Sequence, residues 1–349
     1  MKRHIFSAAL FLALPIVGCE DEPSTNPPPD STIQSFPACE NRSFTITEPN
    51  PALLWTPKAI KLVSKSLAPG VFAVYDSNAD VNAPAGIPLA TSGGFVIGDD
   101  GVLLVESMIN RQLFCQMISL VREQTDKPIT HVVNTSSHGD HSFGNAFLPE
   151  GVHVVQHETT VAYIAAHFAD DVTFMENNFG KDQGLDEITP VTADIVVAAE
   201  PFTVDLGGIT VKAQYHGFAQ TGGDLFVEVP SAKVLWTGNA LVAEKPAVPW
   251  LLDGHAQETA VTLAAVRAGA AAGTIVIPGH SHPVGADGFD FSVDYLQTMI
   301  GEVQTAVDMG LSEQDTVTQV QMSSYQGYKI WGWVHSVVNV PATYKELKP

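Results

Sequence analysis

Apolar positions follow two different periods along most of the chain. Short apolar runs predict strands over residues 71–75, 94–97, 102–105, 129–134, 195–198, 209–215, 225–229, 234–236 and 274–277. Apolar positions recur at helical spacing over residues 109–122 and 258–271, and two or three more helices are expected near the C-terminus. Strands and helices interspersed in both halves predict a layered α/β domain. Because no linker or repeat interrupts it, residues 46–349 are expected to form one domain.

The N-terminus has the pattern of an export signal. Lys2 and Arg3 precede an apolar segment at residues 5–17, which has the length of a signal peptide and is too short to span a membrane. The segment Ile16-Val17-Gly18-Cys19 resembles the bacterial lipobox, whose cysteine is lipidated and becomes the mature N-terminus. We therefore expect a lipoprotein-type signal peptide over residues 1–18 and a lipid on Cys19. An ordinary secretory signal is the alternative.

Residues 19–45 are predicted to tether the lipid to the domain. Residues 20–31 are acidic and proline-rich, and they offer nothing to pack into a core. A chain with this anchor would face the periplasm or the cell exterior. In that oxidising compartment Cys39 and Cys115 are either joined by a disulfide or kept as two buried thiols, and the sequence leaves both open.

Composition and charge narrow the range of partners. The chain has 349 residues, 45% of them hydrophobic, which is enough for a large core. Seventeen basic and 38 acidic residues give a net charge of −21, which argues against nucleic acid and anionic lipid as partners. No apolar run reaches the ~20 residues of a membrane-spanning helix. Membrane contact is therefore expected through the lipid anchor only.

A cluster of metal-binding side chains follows the predicted strand 129–134. Two imidazoles and one carboxylate lie within four residues, as His138, Asp140 and His141. These groups suit Zn²⁺, which binds nitrogen and oxygen ligands at about 2.0–2.2 Å. Loops at the ends of strands commonly carry functional residues. The pattern favours a metal site, and a polar turn with surface histidines is the alternative.

The same cluster carries a resemblance to a known family. Written as Asn-Thr-x-x-His-Gly-Asp-His-x-Phe-Gly-Asn, residues 134–145 resemble the signature of the metallo-β-lactamase fold superfamily. Further segments resemble that family in the same order: Gly70-Val71-Phe72-Ala73-Val74, Gly93-Gly94-Phe95-Val96-Ile97, Ala219-Gln220-Thr221-Gly222-Gly223-Asp224-Leu225, Thr237-Gly238-Asn239-Ala240-Leu241 and Ile277-Pro278-Gly279-His280. The resemblance covers residues 65–285. It implies a four-layer αββα sandwich with metal ions in a cleft at one sheet edge.

The resemblance also implies which positions bind metal. The family builds two zinc sites. The positions of the first site and of its bridging aspartate are here Ser136, His138, Gln220 and Asn239. The positions of the second site are Asp140, His141 and His280, and all three are retained. Hydroxyl and amide groups are weak zinc ligands, so we expect a degenerate first site and a single zinc ion, or another divalent metal, in the second.

These expectations lead to a hypothesis about function. The chain is interpreted as a zinc-dependent hydrolase that cleaves a carbonyl bond of a small molecule, such as an ester, lactone, thioester or amide. His138 and Asp140 are the candidate catalytic residues, with His138 acting as general base or orienting the attacking water. Glu106 is expected to orient the motif loop. The alternatives are a non-catalytic binding protein with a degenerate metal site and a structural lipoprotein.

Two further patterns concern the surroundings of the site. Trp250, Leu251, Leu252, Phe174 and Phe179 form either a hydrophobic substrate rim or part of the core. A series of acidic residues is expected to form a solvated loop across the cleft, which would either disfavour anionic substrates or serve solubility alone. Its members are Asp170, Asp171, Glu176, Asp182, Asp186 and Glu187.

Overall fold

Two β-sheets form the centre of the computed structural model, which describes residues 33–242 and 247–348. Sheet I contains, in spatial order, β1 (Leu62–Ala68), β2 (Val71–Asp76), β3 (Gly93–Ile97), β4 (Val102–Val105), β5 (Ile129–Val133), β6 (His153–His157) and β7 (Ile195–Val197). Sheet II contains β8 (Phe202–Asp205), β9 (Thr210–Tyr215), β10 (Leu225–Val229), β11 (Val234–Gly238), β12 (Ile275–Pro278) and β13 (Val284–Gly285). Strands β4 to β7 are parallel, as are β11 and β12.

Helices cover the outer faces of both sheets. They are α1 (Ala79–Asn82), α2 (Arg111–Arg122), α3 (Gly139–Ser142), α4 (Glu158–Phe179), α5 (Ala256–Gly269), α6 (Gly288–Asp308), α7 (Glu313–Gln319) and α8 (Val340–Leu347). A π-helical segment, Gly332–Asn339, leads directly into α8. Within the described ranges, none of the helices is both long enough and apolar enough to cross a bilayer.

The alternation of side chains along the strands creates the layers. In β4, Leu103 and Val105 pack between the sheets, whereas Leu104 packs on the outer side with residues of α2 and α4. In β10, Val227 faces the inner layer and Phe226 faces α5 and α6. The order is helices, sheet, sheet, helices. The αββα sandwich implied by the resemblance is therefore confirmed.

One tryptophan fixes the distance between the sheets. Trp236 of β11 is 1% exposed, and its Nε1 donates to the carbonyl of Gly93 in sheet I at 2.9 Å. A Cβ atom on Gly94 would lie 2.7 Å from the indole ring, so only glycine permits this approach. Burying a tryptophan with its N–H satisfied is a large stabilising contribution. The contact lies beside the strand ends that carry the candidate site.

The predicted strands and helices agree with the structure, with ends that differ by one or two residues. The sequence analysis missed β1, β6, β8, β13 and α4. The expected acidic loop is wrong in its first half, because Asp170, Asp171 and Glu176 lie on α4. That helix buries Met175 and Phe179 against the core beside sheet I, and this packing outweighs its polar composition.

The segment before β1 contacts the domain. The Gln34 side chain bonds to both backbone groups of Ile129, at 2.8 and 3.1 Å, and Phe36 is buried in the core. Cys39 and Cys115 are joined by a disulfide in the structure. Residues 33–45, assigned to the tether by sequence, thus pack on the domain. The signal peptide and Cys19 lie outside the described residues.

Candidate metal centre

The candidate site lies where four strands end. Glu106 follows β4, the motif loop follows β5, Asn239 follows β11 and His280 follows β12. Because β4 and β5 are parallel, as are β11 and β12, the carboxyl ends of each pair lie at one sheet edge. The two edges meet at the same end of the sandwich. Residues far apart in the sequence are brought together there.

A buried amide fixes the shape of the motif loop. Asn134 is fully buried, and its Nδ2 donates to the carbonyl of His141 at 3.0 Å. Its Oδ1 accepts from Asn145 Nδ2 at 2.7 Å and from Gln156 Nε2 at 2.9 Å. A buried amide left without these partners would cost about 1–3 kcal/mol. The loop is thereby held as it enters α3, the short helix that carries two of the candidate ligands.

Asp140, His141 and His280 converge on one point. Their ligand atoms all lie within 4.8 Å of one another, and all three side chains are buried. Asp140 Oδ2 is 3.2 Å from His280 Nε2 and 3.5 Å from His141 Nε2. The structure therefore brings together the three residues predicted to bind metal.

Each of the three side chains is oriented from behind. His280 Nδ1 donates to the carbonyl of Leu89 at 2.9 Å, which leaves Nε2 with a free lone pair. His141 Nδ1 lies 3.0 Å from Glu106 Oε1. Thr91 Oγ1 donates to Asp140 Oδ2 at 2.6 Å. Such partners fix ring orientation and ligand basicity in metal sites.

Glu106 holds the motif loop as well as His141. Its carboxylate accepts from the Thr135 backbone N–H at 3.2 Å and from the Thr135 hydroxyl. The predicted orienting position of Glu106 thus matches its contacts. Thr91 and Leu89 were missed by the sequence analysis, because neither residue type nor spacing links them to the motif.

The two charges of the triad stabilise each other. Burial alone would raise the pKa of Asp140, but the imidazoles of His141, His280 and His138 outweigh burial and hold that pKa well below its usual range. Burial would lower the pKa of His141, but Asp140 and Glu106 raise it to about 9. A cation between these side chains would take the place of the proton on His141.

The donor set fits a divalent cation. His141 Nε2 is fully buried and makes no hydrogen bond of proper geometry with any described residue. An imidazole nitrogen in that state is costly unless something else binds it. Two imidazoles and one carboxylate are ligands that zinc accepts. Asp140, His141 and His280 are therefore the residues that would hold the metal.

The four first-site positions are neutral or weak ligands. His138 Nδ1 lies 3.1 Å from Asn239 Nδ2, and the Ser136 hydroxyl accepts from the His138 backbone N–H at 3.4 Å. Gln220 is 2% exposed, yet neither atom of its amide has a hydrogen-bond partner among the described residues. Leu225, at the end of the Gln220 turn, bonds through its N–H to the carbonyl of Thr135 at 2.8 Å, which places this turn against the motif loop.

A largely apolar pocket of about 30 Å³ lies over the triad, roughly the room of two water molecules. It is lined by Trp55, Ile87, Pro88, Leu89, His138, Asp140, Phe174, Met175, Phe179, Asn239, Val242, Trp250, Leu252, His280 and Tyr328. Of the five residues considered for a rim, all but Leu251 line this pocket; Leu251 is buried in the core. A cavity of about 530 Å³ adjoins it and shares Trp55, Ile87 and Pro88 as walls.

Fold and site together define a four-layer αββα protein with a buried Asp-His-His ligand set at the edge of its sheets. A family model described as "Metallo-beta-lactamase superfamily" matches residues 86–280, more than half of the chain. The chain belongs to the metallo-beta-lactamase superfamily.

Solved structures of several hydrolases share the fold. The stereoselective inverting sec-alkylsulfatase Pisa1 from Pseudomonas sp. matches with a TM-score of 0.65 and 15% identity, over 84% of this chain and 51% of that chain. This chain thus spans about half the length of the sulfatase. A metallo-beta-lactamase from Pontibacter korlensis matches with a TM-score of 0.53 and 18% identity, over 68% of this chain and 99% of that one. The DIM-1 metallo-beta-lactamase gives 0.52 and 16%, over 68% and 97%.

Proposed function

We propose that this chain is a metal-dependent hydrolase that cleaves a carbonyl bond of a small molecule (an ester, lactone, thioester or amide, including a β-lactam). It uses one zinc ion, or another divalent cation, held by Asp140, His141 and His280. The convergence of these residues within 4.8 Å carries the proposal. Three protein ligands with an open position are typical of catalytic zinc sites. When bound, such a cation polarises a carbonyl oxygen and lowers the pKa of water to ~7.

Two side chains are assigned to the reaction itself. His138 lines the pocket, and the contact of its Nδ1 with Asn239 fixes the ring and leaves Nε2 for water or substrate. We assign His138 to orienting or deprotonating the attacking water. Asp140 also lines the pocket, and we assign its carboxylate to holding the cation and positioning that water. The apolar walls keep bulk water away from the reacting bond.

The test combines a metal count with a substrate panel. Purified protein is analysed for metal content and assayed on esters, lactones, a β-lactam and a secondary alkyl sulfate, with and without a chelator. We expect about one metal ion per chain and turnover that the chelator abolishes. His138→Ala should lose turnover while keeping its metal, whereas a collapsed site would lose both. Absence of chelator-sensitive turnover on the whole panel would contradict the proposal.

A second candidate is a binding protein without catalysis. The observation that favours it is the neutral character of the first-site positions, above all the unpartnered amide of Gln220. In that case the triad would hold a structural metal or none, and ligands would bind without turnover. The metal count and the panel distinguish the two candidates.

We also propose that the chain is an exported bacterial lipoprotein anchored through Cys19, facing the periplasm or the cell exterior. The Cys39–Cys115 disulfide supports an oxidising compartment. Lipid labelling of the protein expressed in bacteria tests the anchor. The label should be lost in Cys19→Ala, and the protein should move from the membrane to the soluble fraction. Labelling that persists would contradict the assignment of Cys19.

A further inference from the structure

We infer that the pocket over the triad selects substrates that are uncharged around the bond to be cleaved and that carry an apolar group beside it. The inference rests on the proposed hydrolase function and gives it a substrate class. It separates this chain from the sulfatase among its structural neighbours, because an alkyl sulfate is an anion at its reacting group.

The charges around the pocket are negative. Asp140 lines it, and the described lining residues include no lysine or arginine. Asp171 of α4 and the exposed Asp253 stand close by. Burial, then the charges of Asp140 and Asp253, raise the pKa of Asp171 to about 7. A substrate anion placed here would meet carboxyl groups without a counter-ion from the described pocket walls.

The walls add a desolvation cost for any charged group. Trp55, Phe174, Trp250 and Leu252 are among the apolar side chains that form most of the pocket surface. An ion in such surroundings loses its hydration without compensating hydrogen bonds, whereas an aryl or alkyl group gains from burial. Repulsion and desolvation therefore act in the same direction.

The adjoining cavity defines how far the exclusion extends. It is lined by neutral amides, among them Asn78, Asn82 and Asn178, and by the exposed Lys329. A polar remainder of the substrate fits there, and Lys329 tolerates a negative charge far from the reacting bond. The exclusion therefore applies to groups next to that bond.

The kinetic test uses two esters of nearly equal shape. 4-Carbamoylphenyl acetate and 4-carboxyphenyl acetate differ by an amide in place of a carboxylate on the leaving group. After correction for their spontaneous hydrolysis, we expect kcat/KM for the neutral ester to be about tenfold higher or more. Equal or faster turnover of the anionic ester would overturn the inference and leave the hydrolase proposal standing.

Variants outside the catalytic set sharpen the test. Leu252→Lys, at the edge of the pocket, should raise the relative rate of the anionic ester several-fold, and Leu252→Met should leave the ratio unchanged. Asp253→Asn should raise it by a smaller factor, and Glu200→Gln, an exposed acid on another loop, should not. Lys245 lies outside the described residues, so Lys245→Met is assayed as well. If this change selectively lowers turnover of the anionic ester, Lys245 is a counter-ion and the inference fails.

A binding measurement separates the charge preference from catalysis. The unreactive analogues 4-acetamidobenzamide and 4-acetamidobenzoate are titrated into chelator-treated protein, with quenching of tryptophan fluorescence as the readout, because Trp55 and Trp250 line the pocket. We expect the neutral analogue to bind about tenfold more tightly or more, and Trp250→Phe to reduce the signal. If no ester is hydrolysed yet the neutral analogue binds better, the hydrolase proposal fails and the charge preference stands. Equal binding would overturn the preference.

Discussion

The two halves of the metal centre differ in how their side chains are held. Asp140, His141 and His280 each have a partner that orients them, supplied by Thr91, Glu106 and Leu89. At the first-site positions, His138 and Asn239 contact each other, and Gln220 has no side-chain partner among the described residues. One half is arranged as a ligand set, and the other as a group of neutral polar side chains.

The difference teaches that supporting contacts, and not the number of polar side chains, distinguish a metal site. Both halves lie at strand ends and both are buried. Only the triad combines strong donors with partners that fix their geometry, a combination on which metal affinity depends. The comparison therefore predicts one occupied half and one empty half, and each experiment below tests that asymmetry.

The largest effect is expected from removing a triad ligand. His141→Ala leaves two ligands and a cavity where the imidazole stood, so we expect bound metal and metal-dependent turnover to fall to background. Ser136→Ala, a loss of a buried polar group in the other half, should keep about one metal ion per chain. Elemental analysis of both purified variants is the measurement. Equal loss of metal in both would show that the halves are not distinct.

The next effect concerns a supporting residue. Glu106→Gln keeps the shape of the side chain but removes the charge 3.0 Å from His141 Nδ1. Changes of this kind typically weaken metal binding by about 10–100-fold. Competition with a chelator of known affinity measures the change, with Glu200→Gln as the control. An unchanged affinity would mean that Glu106 serves the motif loop through Thr135 alone.

A third experiment rebuilds the weaker half. The combination Ser136→His, Gln220→His and Asn239→Asp supplies strong donors at the first-site positions, so metal content should rise from about one ion per chain towards two. The triple variant with His138→Ala added should fall back, because it loses the remaining first-site imidazole. Occupancy that stays at one in a folded triple variant would show that these positions do not form a site.

Much of this comparison follows from the sequence, because both ligand sets are read from short motifs. Apolar runs such as Val102–Val105 predict strands directly, and the motif loop places Asp140 and His141 side by side. His280 entered through the resemblance alone. The αββα fold is confirmed by the structure, while the roles of the individual site residues stay predictions.

The supporting contacts could not be predicted, for a physical reason. The Thr91 hydroxyl bonds to a residue 49 positions away, and the Leu89 carbonyl to one 191 positions away. Such contacts depend on the packing of both sheets and leave no local pattern. Helix α4 was missed for a related reason, since its buried Met175 and Phe179 stand among acidic residues whose composition favours a loop.

The smallest effect concerns two buried carboxyls with opposite surroundings. Imidazoles surround Asp140, whereas Asp224 lies on the Gln220 turn with no cation among its neighbours. Asp224 Oδ2 accepts from the Thr221 backbone N–H at 2.5 Å, and its Oδ1 has no partner among the described residues. Burial outweighs these bonds and raises the pKa of Asp224 from 3.8 to about 7.

The raised pKa makes stability depend on pH in a defined direction. Between about pH 4 and 7 the folded chain keeps a proton that the unfolded chain has released, so the free energy of unfolding falls as pH rises through this range. Asp224→Asn carries no such proton, so its stability relative to the parent protein should increase by about 1–2 kcal/mol from pH 5 to pH 8. Urea unfolding of chelator-treated protein measures this, with the exposed Asp308→Asn as a control that should show no trend. If the parent and Asp224→Asn curves stay parallel across pH, Asp224 is ionised in the folded chain, and a cation must lie beside the Gln220 turn, which would remove the asymmetry between the two halves.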